Sequence, residues 1–294
     1  MSSDSETKVW NRYKGNEEAE AVYGDKAIRL LYQTLAGQKL SGILARPFVS
    51  QLYGLYQQSA LSKKKIPLFI SNFKIQMHEF ENRPFESFND FFIRKFVPGV
   101  RPFVQNPQLP AFAEGRYMAF EKITDDGRYP VKGKYLKALD LLGHSDQAKL
   151  FVDGPLIIAR LCPTDYHRFH FPDDGKILSS WRISGSLQSV NPNALKFRND
   201  IFISNERNVT LLETKSFGRL AYIEVGAMMV GKIVQTHPAQ TFKRGEEKGY
   251  FIFGGSTVIL MGEKGKWIPD EDLLKNTAKG METFVRLGDH IATI

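Results

Sequence analysis

Two of the six histidines, His167 and His170, fall within one short stretch, Pro163-Thr164-Asp165-Tyr166-His167-Arg168-Phe169-His170-Phe171-Pro172. Imidazole titrates nearest neutrality of all side chains, so such a pair can divide the work of base and acid in one reaction. At a spacing of three, a helical turn puts both rings on one face. The plainer reading is one surface histidine and one packed histidine. Two imidazoles can also hold a metal, but no third ligand stands nearby and no metal site is expected. A second constellation is Gly254-Gly255-Ser256-Thr257, set between the apolar runs Phe251-Ile252-Phe253 and Val258-Ile259-Leu260. A hairpin or bulge accounts for the glycines. The chemical reading is that no side chain shields the Gly255 carbonyl, so the Ser256 hydroxyl can attack it. The third is Glu114, before Gly115 in Pro110-Ala111-Phe112-Ala113-Glu114-Gly115-Arg116. Alone it means little, since most glutamates are solvated charge.

The scaffold for these residues changes character along the chain. Up to about residue 100, apolar residues recur at helical intervals: Ile28, Leu31, Leu35, then Leu44, Phe48, Leu52, Leu55. Pro47 is expected to kink or break the second segment. Ser87 and Asp90 stand in capping-box order beside a stripe of Phe85, Phe88, Phe92 and Phe96, which is either core or a greasy face for lipid. The run Ser62-Lys63-Lys64-Lys65-Ile66-Pro67-Leu68 is either a solvated loop or a basic contact for anionic headgroups. From about residue 110 short apolar runs such as Leu156–Ala159, Leu220–Ile223 and Tyr250–Phe253 are punctuated by turn residues, which predicts an antiparallel sheet. The expected fold is α+β: a helical amino-terminal region, 1–100, packed on a mainly antiparallel β core, 101–294.

Composition narrows the setting. The chain of 294 residues is 42% hydrophobic, enough for a sizeable core, and its net charge of +8 suits an anionic partner. With Cys162 as the single cysteine no intramolecular disulfide can form, and a reducing interior is expected. No secretory signal pattern opens the sequence and no apolar run is long enough to span a bilayer, so any membrane contact is expected to be peripheral. There is no Gly-Lys-Ser/Thr phosphate loop, Gly-x-Ser-x-Gly elbow, His-Glu-x-x-His or Cys-x-x-Cys, which removes support for the common nucleotide, lipase and zinc-protease readings. His78, His144, His237 and His290 each stand alone.

Taken together, the segments resemble the phosphatidylserine decarboxylases, self-processing pyruvoyl enzymes. Asp165-Tyr166-His167-Arg168-Phe169-His170-Phe171-Pro172 is similar to that family's Asp-Tyr-His-Arg-x-His-x-Pro signature. Further matches are Phe88-Asn89-Asp90-Phe91-Phe92-Ile93-Arg94-Lys95, Glu224-Val225-Gly226-Ala227 with Val230-Gly231, Lys243 to Phe251, and the processing-site form Gly254-Gly255-Ser256-Thr257. The resemblance implies that Ser256 attacks the Gly255 carbonyl, that the chain is cut into a β subunit, 1–255, and an α subunit, 256–294, and that Ser256 becomes a covalent pyruvoyl group. That carbonyl forms a Schiff base with the amine of phosphatidylserine, and loss of carbon dioxide gives phosphatidylethanolamine. It further implies His170 as the base for self-cleavage, Glu114 as its orienting carboxylate and His167 as the proton donor in decarboxylation. Implied partners are phosphatidylserine and an anionic membrane surface, at the cytoplasmic face of the cell membrane, and a homo-oligomer is possible; no nucleic acid is expected. One position departs from the pattern: Glu114 stands where the family usually has Asp, which is expected to slow processing because a displacement of about 1 Å can cost on the order of 10²-fold. The alternative is an unprocessed, inactive lipid-binding homologue. A hydrolase keeping Ser256 as nucleophile is a further rival.

Overall fold

A computed structural model describes residues 8–20, 37, 47–122, 137–190, 201–227, 232–254 and 256–294. Ile28, Leu31, Leu35 and Leu44 of the expected helical stretch, Val230-Gly231 and Gly255 lie outside the described residues.

The strands are β1 (Lys8–Asn11), β2 (Asn16–Ala19), β3 (Gln108–Pro110), β4 (Gly115–Phe120), β5 (Leu156–Leu161), β6 (Arg168–His170), β7 (Gly175–Ile183), β8 (Arg207–Thr214), β9 (Arg219–Val225), β10 (Ile233–Gln235), β11 (Thr241–Phe242), β12 (Glu247–Phe251), β13 (Ser256–Gly262), β14 (Ile268–Pro269), β15 (Glu282–Val285) and β16 (His290–Thr293). A ten-stranded sheet runs β11-β7-β8-β9-β13-β5-β4-β15-β1-β2, flanked by three-stranded sheets β10-β12-β6 and β14-β16-β3. Pairing is antiparallel throughout these sheets except between β1 and β15. The expected antiparallel core is therefore present. Every residue of β5 and of β13 is buried. That is why both read as continuous apolar runs rather than as alternation.

The helices are α1 (Pro47–Gln58), α2 (Ile66–Phe73), α3 (Phe88–Phe92), α4 (Ala138–Leu142), α5 (Ser145–Lys149), α6 (Ile201–Ser204) and α7 (Glu271–Ala278). Among the described residues α1 runs unbroken from Pro47 to Gln58. Ser87 caps α3, its side chain accepting from the Asp90 N–H at 3.1 Å. Phe88 and Phe92 are buried with Ile66, Phe69, Phe91 and Phe253, so this part of the Phe stripe is core and not a lipid-facing surface. The amino-terminal stretch is also not helical from its start. Residues 8–19 form a polar hairpin at the edge of the large sheet, turning through Gly15 at φ 63. Its pairing with β15, nearly the whole chain away, leaves no local signature in the sequence.

Candidate active site

Ser256 opens β13, opposite Leu161 at the end of β5, while Thr257 faces Val225 at the end of β9. The hydroxyl is thus carried at the rim of the large sheet by its two most deeply buried neighbours. Beyond Leu161 the chain turns through Cys162 and Pro163 into the two-histidine segment. Asp165 holds that turn: its N–H donates to the Cys162 carbonyl at 2.9 Å, its Oδ2 accepts from the Cys162 N–H at 2.7 Å, and it pairs with Arg116. β6 then pairs with β12, Phe169 facing Gly249 and Arg168 facing Tyr250. The Phe251 N–H donates to the His167 carbonyl at 3.0 Å. These pairings bring the histidine segment alongside the residues that lead into Gly254.

The segment is extended where the spacing of three suggested a helical turn. In extended chain residues three apart face opposite ways, and the two rings have separate surroundings. His167 lies against Phe92 with ring centroids 3.8 Å apart, and the Gly254 backbone is near enough to act on its protonation. Its Nδ1 faces the Asp165 carbonyl at 3.1 Å. A carbonyl only accepts, so Nδ1 carries the proton and Nε2 holds the lone pair. Desolvation pulls the pKa down to about 3, only partly countered by the Asp165 carbonyl, so the ring is neutral at pH 7. Among the described residues, neither His167 Nε2 nor Ser256 Oγ has a hydrogen-bond partner, and both are buried. Buried polar atoms are nearly always paired, and a catalytic role is one explanation for an exception.

His170 has the same tautomer from a different source. Its Nδ1 donates to the Gly245 carbonyl at 2.9 Å, and its Nε2 accepts from the Tyr166 hydroxyl at 3.3 Å. Burial lowers its pKa to about 4. Glu114 is positioned by Gly115, where a Cβ would meet the Arg160 carbonyl oxygen at 2.6 Å; only glycine lets β4 come this close to β5. Among the described residues the partners of the Glu114 carboxylate are Arg101, at 2.6 and 3.1 Å, and the Leu287 N–H at 3.2 Å. Burial raises the Glu114 pKa, opposed by Arg101. Arg101 also grips Glu79 at 2.9 Å and lies 4.4 Å from the Phe96 ring, which packs on Tyr166 at 4.3 Å. Ser256, His170 and Glu114 are therefore not joined by hydrogen bonds in this structure. Arg101, Phe96 and Tyr166 lie between Glu114 and His170 as a chain of contacts.

Asn89, Tyr166 and Arg101 escaped sequence reasoning as parts of the site. Asn89 and Tyr166 lie inside the motifs that carry the resemblance, but nothing in the motif says what they touch. Asn89 Oδ1 accepts from the Phe253 N–H at 3.0 Å. Cys162 is buried between Arg160 and Glu20, its thiol donating to Glu20 at 2.6 Å, and desolvation pushes its pKa up.

A mainly antiparallel β fold that buries two neutral histidines and the Ser256 hydroxyl has the makings of an enzyme site. Residues 88–293 match the family described as phosphatidylserine decarboxylase. Over 291 residues the chain is 40% identical to the phosphatidylserine decarboxylase proenzyme of Clostridium novyi (strain NT), covering 97% of this chain and 99% of that one. It is 41% identical over 288 residues to the proenzyme of Clostridium tetani (strain Massachusetts / E88), covering 97% of each, and 40% identical over 277 residues to that of Chlamydia pneumoniae, covering 92% of each. The chain belongs to the phosphatidylserine decarboxylase family and is a decarboxylase.

Proposed function

We propose that the chain is a proenzyme that cuts itself between Gly255 and Ser256 and, with the pyruvoyl group so made, converts phosphatidylserine to phosphatidylethanolamine and carbon dioxide. The observation that carries this reading is the Ser256 hydroxyl, fully buried and unpartnered among the described residues, at the start of a rigid central strand. Gly254, at φ 147, supplies the backbone freedom a reacting junction needs. In the first step the Ser256 O–H adds to the Gly255 carbonyl carbon. An imidazole Nε2 takes the hydroxyl proton and gives it to the departing Ser256 nitrogen, so the C–N bond breaks as an ester C–O bond forms. Loss of the Ser256 Cα proton then expels the Gly255 carboxylate from Cβ, and water converts the resulting unsaturated amine to a ketone and ammonia.

A pyruvoyl group at residue 256 supplies an electron-withdrawing carbonyl that takes up the substrate amine and accepts the electrons released with carbon dioxide. Burial around Ser256 keeps water from the reacting atoms. We assign His170 as the base for cutting, its neutral Nε2 exchanging Tyr166 for Ser256, with Glu114 holding Arg101 in the packed layer of Phe96 and Tyr166 beside that ring. His167, beside Gly254, returns the proton to the substrate carbon. A second reading, favoured by the buried Nε2 without a hydrogen-bond partner among the described residues, gives His167 the cutting step as well. Cleavage lost in His167→Ala but retained in His170→Ala selects the second reading, and the reverse selects the first.

The lipid substrate places the chain at a membrane surface. No helix among the described residues is long and apolar enough to cross one. Leu55, Leu61 and Leu68 are 63%, 69% and 66% exposed, and Lys63 and Lys64 are exposed on the same segment. Apolar side chains beside lysines suit peripheral docking on anionic headgroups, at the cytoplasmic face of the cell membrane. Incubation with carboxyl-labelled phosphatidylserine while recording intact mass tests the whole reading. A fragment of residues 256–294 lacking a free amine, together with released labelled carbon dioxide, is expected. A single full-length species that releases none overturns it in favour of an uncut lipid-binding chain.

A further inference from the structure

We infer that Asn89 is a positioning residue for self-cleavage, holding the scissile segment by the amide of Phe253; this rests on the self-cleavage reading above. For Ser256 Oγ to meet the Gly255 carbonyl, the chain on both sides of that peptide must be fixed. On the carboxyl side the ladder of β13 fixes Ser256 against Leu161. On the amino side the chain leaves β12 at Phe251, whose N–H is held by the His167 carbonyl, and the Ile252 N–H is held by the Lys232 carbonyl at 3.0 Å. The Phe253 N–H is the last amide before the two glycines, and its acceptor is a side chain: Asn89 Oδ1, buried, at 3.0 Å. Two consecutive glycines transmit little restraint, so among the described residues this is the last amide hydrogen bond before the bond to be cut.

The surroundings of Asn89 support the assignment. Its neighbours on α3, Phe88 and Phe92, hold the Phe253 ring at 5.1 and 4.8 Å. Phe92 also carries the His167 ring, so one helical turn sets both the scissile segment and the nearer imidazole. α3 is in turn fixed from outside the sheet by Ser62, whose Oγ accepts from the Phe88 N–H at 2.8 Å. Asn89 thus acts on the serine attack through Phe253. In chemical terms it restricts the Gly255 carbonyl to an orientation open to Ser256, and holding reactants within a fraction of an ångström is worth orders of magnitude in rate.

The test follows conversion of pulse-labelled full-length chain into fragments 1–255 and 256–294 after cell-free synthesis, for wild type, Asn89→Leu and Asn89→Asp, with thermal midpoints recorded alongside. Leu matches the size of Asn but offers no acceptor; Asp keeps an oxygen in place and is well tolerated in the first turn of a helix. Hydroxylamine, which cleaves the ester but not the amide, separates failure of serine attack from failure of the later elimination. The expected result is cleavage at least 10-fold slower in Asn89→Leu, with no gain of hydroxylamine-sensitive chain, and rescue to within threefold of wild type in Asn89→Asp. Should Asn89→Leu fail to fold, the Asp variant decides: folded but uncut, it overturns the assignment. Equal rates in wild type and Asn89→Leu also overturn it while leaving self-cleavage standing. A wild-type chain that never converts removes the self-cleavage reading, and the Asn89 assignment with it.

Discussion

Lowering the pH from 8 to 5 should destabilise the folded chain through His167 and His170. Burial holds their folded pKa values at about 3 and about 4, whereas an unfolded imidazole titrates near 6.5. Because the folded values lie below the unfolded one, the unfolded chain takes up protons first as the pH falls. The contribution of each ring is complete above about 6.5 and declines from there towards its folded pKa. At about 1.4 kcal/mol per pH unit, 1.5 units below 6.5 costs about 2 kcal/mol per ring, or about 4 kcal/mol for the pair at pH 5. The buried carboxylates Glu114, Asp165 and Glu224, all with pKa values raised by desolvation, act in the opposite sense, so a difference measurement is needed. Urea unfolding at pH 8 and pH 5 supplies it, comparing Ser256→Ala with the double variant Ser256→Ala, His167→Gln; the alanine keeps the chain in one piece. The double variant should lose about 2 kcal/mol less on acidification. A difference below about 0.5 kcal/mol would mean that His167 titrates near its ordinary value in the folded chain, and the buried neutral base would be refuted.

Glu114→Asp should cut faster than wild type if side-chain length at this position limits processing, as the family resemblance implies; an unchanged or slower rate in pulse-labelled chain leaves Glu114 only the holding of Arg101. Gly115→Ala should lower stability by about 1–3 kcal/mol, read as a shift of the urea midpoint, because the new methyl meets a backbone oxygen at 2.6 Å and β4 must part from β5; an unshifted midpoint contradicts the close approach. Replacing Lys63 and Lys64 by alanine should weaken binding to anionic vesicles by roughly 30-fold, from about 1 kcal/mol per lysine, and unchanged sedimentation with vesicles removes the docking assignment.

How much of this was legible in the sequence depended on the range of the interaction. Leu156–Ala159 and Leu220–Ile223 lie inside β5 and β9, where burial on both faces favours apolar runs, although each strand also buries one charged residue, Arg160 and Glu224. The Ser87 cap was legible because a cap acts over three residues. The hairpin of residues 8–19 was not: only Val9 is buried along it, and its partner strand is β15. The histidine spacing was legible as chemistry and misleading as geometry. Three residues make nearly one turn of helix but an odd step in extended chain, and pairing of β6 with β12 decides between them.

The charge network behind the site shows why residue types were easier to read than roles. Arg116 reaches Glu20 and Asp165, and Arg160 reaches Glu20 at 2.9 Å and Glu282 at 2.5 Å. Removing one member of such a set strands a buried charge, a loss of several kcal/mol, whereas the set as a whole adds little over apolar packing. Its value here is geometric. It ties the end of the amino-terminal hairpin to β4, β5 and β15, and through Asp165 to the turn that carries His167. A fold that leaves Ser256 Oγ and His167 Nε2 buried without described partners gives up stability at both atoms. It can keep them there only if the turn around them is held from several sides at once. Arg116 on Asp165, Arg94 on the Thr164 and Asp165 carbonyls, and Arg168 on Glu247 do that holding. Arg116 comes from β4, Arg168 from β6 and Arg94 from the chain just after α3. No window of sequence contains them together, and only the tertiary pairing reveals that they serve one loop.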